Sequence, residues 1–278
     1  MRRKMRAAGR GLLTVLYAVF ALAILAPIVY MLTHALLSPR ESAFLAAQDY
    51  LPLRLLPERP ALSQFAAALS DNPEFYIYFW NTVSFALPSV AGTLLVSALG
   101  GYALAKLRFR VRGIVYFLAV FLVMLPSELL LSPQYILARE TGLLGTRAAV
   151  VLPLIFAPLG LFLMTLFLRA VPSDTLEAAR LEGAGEWRVF LRVALPQAAP
   201  GIALLAVFSL VESWDLVAAP LVLLGESTQY PLSVALSDIG TQNPQVVYAC
   251  AVWFMLPVFL CFLLGAKGIV RNLGKIMR

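Results

Sequence analysis

Long apolar runs alternate with short charged or turn-rich stretches along the whole chain. A helix that crosses a bilayer needs about 20 predominantly apolar residues. Runs of that order occupy residues 11–37, 81–107, 113–137, 148–168, 202–224 and 246–266. The first run is longer than the apolar core of a cleaved leader, about 7–15 residues. It reads as an uncleaved span behind a short basic N-terminus, residues 1–10. Residues 38–79 are polar and interrupted by Pro52, Pro57, Pro60 and Pro73. A short helix over 62–69 is expected there, stopped by Asp71-Asn72-Pro73. Asn81 stands where a side-chain cap would open the second span. Residues 225–244 are polar and turn-rich. The expected fold is all-α, a polytopic membrane protein with six transmembrane helices, and residues 11–278 form a single transmembrane domain.

Residues 170–200, between the fourth and fifth runs, hold the longest charge-rich stretch of the second half. Asp174 and Glu177 are three apart, the spacing by which an acid caps a helix start and a glutamate reaches back. Residues 176–182 contain good helix formers. Gly183-Ala184-Gly185 then turns the chain, because glycine accepts positive φ. A second helix is expected from Glu186. Its Trp187, Phe190, Leu191 and Ala194 recur at helical spacing and form one apolar stripe. Pro196 and Pro200-Gly201 are expected to end it. Such a helix–turn–helix at a membrane edge must bury its stripe against its own bundle, the lipid surface or a partner. Spacing alone leaves these open beside a plain connecting loop.

Composition agrees with the pattern. Of 278 residues, 61% are hydrophobic and 13% charged, against about 25% charged in a soluble domain. Lys and Arg outnumber Asp and Glu by 22 to 15, and their placement gives the reason. Five lie in residues 1–10 and four each in 106–112, 169–192 and 267–278. Only Arg40, Arg54, Arg59, Arg139 and Arg147 fall on the other side of the alternating topology. The positive-inside rule therefore puts both termini and the 170–200 loop in the cytoplasm. The bias explains the basic balance without nucleic acid as a partner. Cys250 and Cys261 lie in one apolar run, about 16 Å apart at a helical rise, too far for a disulfide. They read as core residues. With His34 the lone histidine, neither a metal site nor a Ser/His/Asp or Cys/His catalytic set is expected.

The residues of the 170–200 loop resemble a known family. Glu177-Ala178-Ala179, three residues, Gly183, nine residues, Val193, one residue, then Leu195-Pro196 follows the signature loop of ATP-binding-cassette importer permeases. Val193 stands where that family usually has Ile. Asn81-Thr82, Tyr102-Ala103-Leu104-Ala105 and Trp214 with Pro220-Leu221 extend the likeness over nearly the whole chain. The chain looks most like the maltose-type sugar permeases of the bacterial inner membrane. The resemblance implies that this loop, with Trp187 and Phe190 on its apolar stripe, docks on a separate ATPase and transmits its motion. It also implies a second homologous permease, two ATPase subunits and an extracytoplasmic solute-binding protein as partners. ATP and Mg would belong to the ATPase, and no cofactor is expected in this chain. Consistently, no Gly-x-x-x-x-Gly-Lys-Ser/Thr loop occurs, so the chain is not itself an ATPase.

Three acids lie at apparent membrane depth: Glu128, Glu212 and Asp215. An acid there costs several kcal/mol, so it faces a cavity or a partner. Glu212 and Asp215 share a helix face, with Trp214 beside them. Carboxylates accept from hydroxyls and an indole covers a sugar's C–H surface, which suits a polyol path. The same acids would equally suit contact with another subunit. Sugar permeases often carry Asn after this Trp, and Asp215 departs from that, leaving room for a cationic or amino sugar. Asn243-Pro244-Gln245 resembles the loop that reaches into the binding protein in maltose-type permeases. Pro88, Pro126, Pro133, Pro153, Pro158 and Pro257 each free a backbone carbonyl inside a run. Gly92, Gly100 and Gly101 offer close helix approach. Together these residues lead to a permease subunit for a sugar, oligosaccharide or phosphorylated polyol. An ion-coupled secondary carrier using Glu212 and Asp215, and a non-transporting membrane scaffold, are the rivals.

Overall fold

The computed structural model describes residues 2–46, 56–242, 244 and 246–276. Every regular element among them is helical. Leu13–Ala35, Pro73–Lys106 and Arg147–Ala170 are long and apolar enough to cross a membrane. Two further pairs qualify only as bent spans: Arg112–Val123 with Ser127–Glu140, at 111°, and Glu186–Gln197 with Ala199–Trp214, at 77°. The sixth expected run lies on Val247–Ile276.

Several expected boundaries move. The third span is not one rod: it breaks between Val123 and Ser127, where Pro126 adopts extended backbone, φ −57° and ψ 133°. Residues before a proline avoid the helical region, which explains the corner. The fifth stops at Trp214; a six-residue helix, Ala218–Leu223, resumes after the turn. The stretch expected to be loop up to Phe79 instead becomes helical at Pro73, a residue preorganised for a first helical turn. Asn81 is therefore interior to that helix and is no cap. A helix over Pro39–Ala46 also falls in the expected loop. Ser38 and Glu41 form its capping box, with Ser38 N–H donating to Glu41 Oε2 at 3.0 Å. In the expected turn-rich 225–244 stretch, Leu232–Gln242 is helical. Its Leu232, Ala235 and Ile239 are buried at helical spacing, a stripe masked in the sequence by intervening polar residues.

The chain divides into two compact units, Met1–Tyr76 with Leu236–Met255, and Ile77–Ala235 with Leu256–Arg278. In the first, the Tyr30 carbonyl accepts from His34 Nδ1 at 2.9 Å. The His34 ring stacks on Tyr30 at 3.8 Å and leans on Tyr248 at 5.2 Å. Phe65 meets Trp253 edge-on. Cys250 is buried, whereas Cys261 of the other unit is exposed and is not a core residue. The outward faces of Leu13, Leu16, Phe20 and Ile24 on the first helix are bare, as expected where the solvent is lipid.

In the second unit the 77–106 stretch packs along Arg147–Ile155 and Pro158–Ala170. Gly101 stands directly against a neighbour's backbone. A Cβ there would stand 2.7 Å from Met164 Cβ and 2.9 Å from the Thr165 backbone nitrogen. Pro158 has no N–H to give the Leu154 carbonyl, and Thr93 Oγ1 donates to it at 2.9 Å. At this break the Leu154 carbonyl thus takes a hydroxyl from the neighbouring helix beside the Ala157 N–H at 3.2 Å. Among the described residues, the core of this unit shows two clusters. One gathers Tyr102, Met164, Leu168, Leu176, Val189 and Phe190. The other gathers Phe85, Val150, Val151, Leu223 and Leu224. Phe85 and Tyr102 lie about 26 Å apart along one helix, so the clusters close opposite ends of the unit.

Gly101→Val places its side chain against backbone rather than against a flexible side chain. We expect a loss of about 1–3 kcal/mol, read as a lowered thermal midpoint of the detergent-solubilised protein. A midpoint equal to the parent's would show that the helices do not meet at Gly101.

Candidate functional site

The 170–200 segment folds as two short helices joined by a glycine turn. The first spans Ser173–Leu181. Asp174 does not cap it: Pro172 occupies the cap position, without a side-chain bond. Asp174 lies instead in the first turn, where an acid complements the helix dipole. The helix closes in a glycine-ended motif. Gly183 has φ +85°. Gly183 N–H donates to Arg180 O at 2.9 Å and Ala184 N–H to Ala179 O at 3.0 Å. Those two bonds define a Schellman cap, and its left-handed position favours glycine.

The second helix runs over Glu186–Gln197. Phe190–Ala194 forms a π-turn, with Leu195 N–H donating to Phe190 O. Pro196 does not end this helix; the break falls at Ala198. Widening the helix just before a proline relieves the clash between its ring and the preceding turn. The expected single stripe divides. Phe190 (4% exposed) and Ala194 (0%) join Leu176 (1%) and Val189 (0%) in the core. Trp187 is 62% exposed, Leu191 43% and Leu181 90%. The hairpin therefore has a buried inner face and an apolar outer face. Glu177, Ala178, Gly183 and Pro196 lie in its exposed part, while Ala179 and Leu195 are half-buried.

A polar triad fixes the hairpin to the bundle. Arg180 Nε donates to Glu186 Oε2, and Arg180 Nη2 to Glu186 Oε1, both at 3.0 Å. The Tyr102 hydroxyl, from the long second-span helix, donates to the same Glu186 Oε1. Hydrogen bonds from Arg180 hold the Glu186 carboxyl below its ordinary range, against a partial burial that pushes it up. None of these three was singled out from the sequence for this role. Arg180 and Glu186 are six apart across a turn, so no helical periodicity joins them, and Tyr102 is 84 residues from Glu186.

The expected path residues lie elsewhere in the same unit. Glu212 and Asp215 are exposed at the end of Ala199–Trp214, where Asp215 N–H donates to Val211 O at 3.2 Å. Trp214, between them, is 6% exposed and meets Phe79 edge-on at 6.0 Å. Its indole is packed inside and offers no open face within this chain. Glu128 is exposed in the first turn of Ser127–Glu140, past the corner at Pro126, and accepts from Ser127 Oγ at 3.3 Å. No hydrogen bond or ion pair joins Glu128, Glu212 and Asp215. Of the expected binding-protein contact, Asn243 and Gln245 lie outside the described residues, and Pro244 is exposed.

Residues 76–275 match the family described as binding-protein-dependent transport system inner membrane component. The arabinooligosaccharides transport system permease protein AraQ of Halalkalibacterium halodurans is 28% identical over 276 residues, covering 98% of each chain. The sn-glycerol-3-phosphate transport system permease protein UgpE of Pectobacterium atrosepticum is 27% identical, over 73% of this chain and 74% of its own. A crystal structure of a bacterial ABC transporter involved in import of the acidic polysaccharide alginate contains a similar chain. Its TM-score is 0.78 at 25% identity, covering 94% of this chain and 96% of that one.

The lowered Glu186 carboxyl fixes the sign of a pH effect. Its contribution is present above the ordinary carboxylate value of 4.5 and is lost as pH falls through the lowered one. The thermal midpoint of Glu186→Gln should therefore lie below that of the parent at neutral pH. That gap should close on acidification below the carboxylate range; a gap independent of pH would show that the Arg180 pair carries no charge-dependent stability.

Proposed function

The chain belongs to the binding-protein-dependent transport system inner membrane component family, a multi-pass permease subunit of an ATP-binding-cassette importer, and from this premise we propose how it is driven. The 173–197 hairpin is the port through which work enters. The observation that carries this is its two-faced burial: Leu176 and Phe190 are sealed in the core while Leu181 and Trp187 are bare. An exposed apolar patch beside a membrane marks a partner surface. Glu177 adds an exposed acid to it, with no side-chain hydrogen bond or ion pair among the described residues. The partner is an ATPase subunit carrying ATP and Mg; two such subunits, a second homologous permease and an extracytoplasmic binding protein complete the importer.

Both termini and the hairpin face the cytoplasm in this reading, supported by the excess of Lys and Arg on that side. Closure of the ATPases displaces the hairpin. The Tyr102–Glu186–Arg180 triad passes that displacement to the long second-span helix, and the bundle rocks between its two open states. Glu212 and Asp215 border the path at the surface facing the second permease, where carboxylates accept from substrate hydroxyls. Trp214 holds the helix end and does not stack on substrate. Glu128 lies at the mouth of the path. The substrate is a sugar or oligosaccharide, the chemistry named for AraQ; a phosphorylated polyol, as named for UgpE, is the second choice. Family membership disfavours the ion-coupled carrier and the non-transporting scaffold.

Glu177→Ala and Gly183→Asp should assemble with the ATPase yet uncouple it. Uptake and binding-protein-stimulated ATP hydrolysis in proteoliposomes should fall by about tenfold or more. A single cysteine at Trp187 should label only from the cytoplasmic side. Parental uptake and stimulation in both variants, or labelling from outside, would refute the hairpin's role.

A further inference from the structure

The end of the larger unit remote from the hairpin carries a second built polar arrangement. Asn81 is 4% exposed on the second-span helix. Its Nδ2 donates to the Thr228 carbonyl at 2.8 Å and to the Tyr230 carbonyl at 3.0 Å. Its Oδ1 accepts from Arg147 Nη2 at 2.8 Å. The next residue, Thr82, is 0% exposed; its Oγ1 accepts from Leu232 N–H at 2.8 Å and donates to Tyr78 O at 3.0 Å. Two adjacent side chains thus hold the backbone of residues 228, 230 and 232.

An amide has a donor end and an acceptor end, and here each has one compatible environment. Flipping Asn81 would aim its oxygen at two carbonyls and its NH2 at a guanidinium. Arg147 and the two carbonyls together fix which way the amide points. The position of Arg147 supports this. It opens the helix Arg147–Ile155, where a cation opposes the helix dipole. Helix stability does not account for an arginine at that place, whereas its bond to Asn81 does.

We propose that Arg147 and Asn81 are a positioning pair for the 225–231 loop. Arg147 helps to set the amide, and the amide and Thr82 set the backbone. Glu226, Ser227 and Thr228 are then presented, exposed, at the outer mouth of the permease. The fixed loop offers one carboxylate and two hydroxyls to the extracytoplasmic binding protein. That last step rests on the importer reading and its orientation; the clasp itself does not.

The test uses the assembled transporter in nanodiscs, read by amide hydrogen exchange and by uptake. Asn81→Asp keeps an acceptor for Arg147 but places its other oxygen, in place of the NH2 donor, against two carbonyls. Exchange over residues 227–232 should accelerate about tenfold, the scale of one or two lost hydrogen bonds. Arg147→Met should accelerate it by about threefold, because the buried Asn81 Oδ1 then loses its donor, and Arg147→Lys should restore the parental rate. Exchange in the 173–197 hairpin should stay parental in all three. Parental exchange in 227–232 for Asn81→Asp, or equal acceleration in the hairpin, would overturn the clasp. In uptake, the half-saturating concentration of binding protein should rise about fivefold in Asn81→Asp, with the maximal rate within about twofold. A fall in maximal rate alone would overturn the docking role while leaving the exchange result intact.

Discussion

In hydrocarbon no water is available for a backbone group that lacks a partner, and this constraint governs the structure. Proline is where it bites, since each one inside a helix releases a carbonyl. At Pro158 the Leu154 carbonyl takes the Ala157 N–H and the Thr93 hydroxyl of the neighbouring helix. At Pro126 the chain turns instead of continuing. At Pro196 the helix widens into a π-turn. One need is met in three ways, and each shapes a region that matters: the helix contact, the path-side break and the hairpin.

The long second-span helix joins these regions. Near one end Tyr102 reaches Glu186 of the hairpin. Near the other, Asn81 and Thr82 hold the 228–232 backbone. Between them Gly101 and Thr93 press it against its neighbours. A rod fixed at both ends and packed along its length is suited to moving as one body. Polar groups supply its two fixings, while close packing, which does not depend on expelling water, supplies the rest.

The acids follow a different logic. Glu212, Asp215 and Glu128 are exposed and unbonded to one another, whereas Trp214 between the first two is buried. Glu212 and Asp215, with no side-chain hydrogen bond or ion pair among the described residues, lie at a broken helix end, which suits the proposed surface completed by another chain. The hairpin's bare Leu181 and Trp187 form the other exposed surface, the one proposed to meet the ATPase. Both surfaces describe a subunit whose function is finished by assembly.

Much of this was legible in the sequence, because bilayer thickness and helical period are local rules. Apolar run length marked where the long helices lie, and Lys/Arg asymmetry supplied the orientation used in the proposal. Gly183 announced its turn, since few other residues take a left-handed backbone at so low a cost. Side-chain partnership at a distance was not legible. Asn81 looked like a cap and proved to be a clasp for residues 147 positions away and more. Trp187 and Phe190 looked alike on one stripe, yet one faces out and the other in. Glu186 met Arg180 and Tyr102 only once the hairpin folded back on the bundle. Periodicity tells which residues share a face; which face is covered, and by what, is set only when the helices pack.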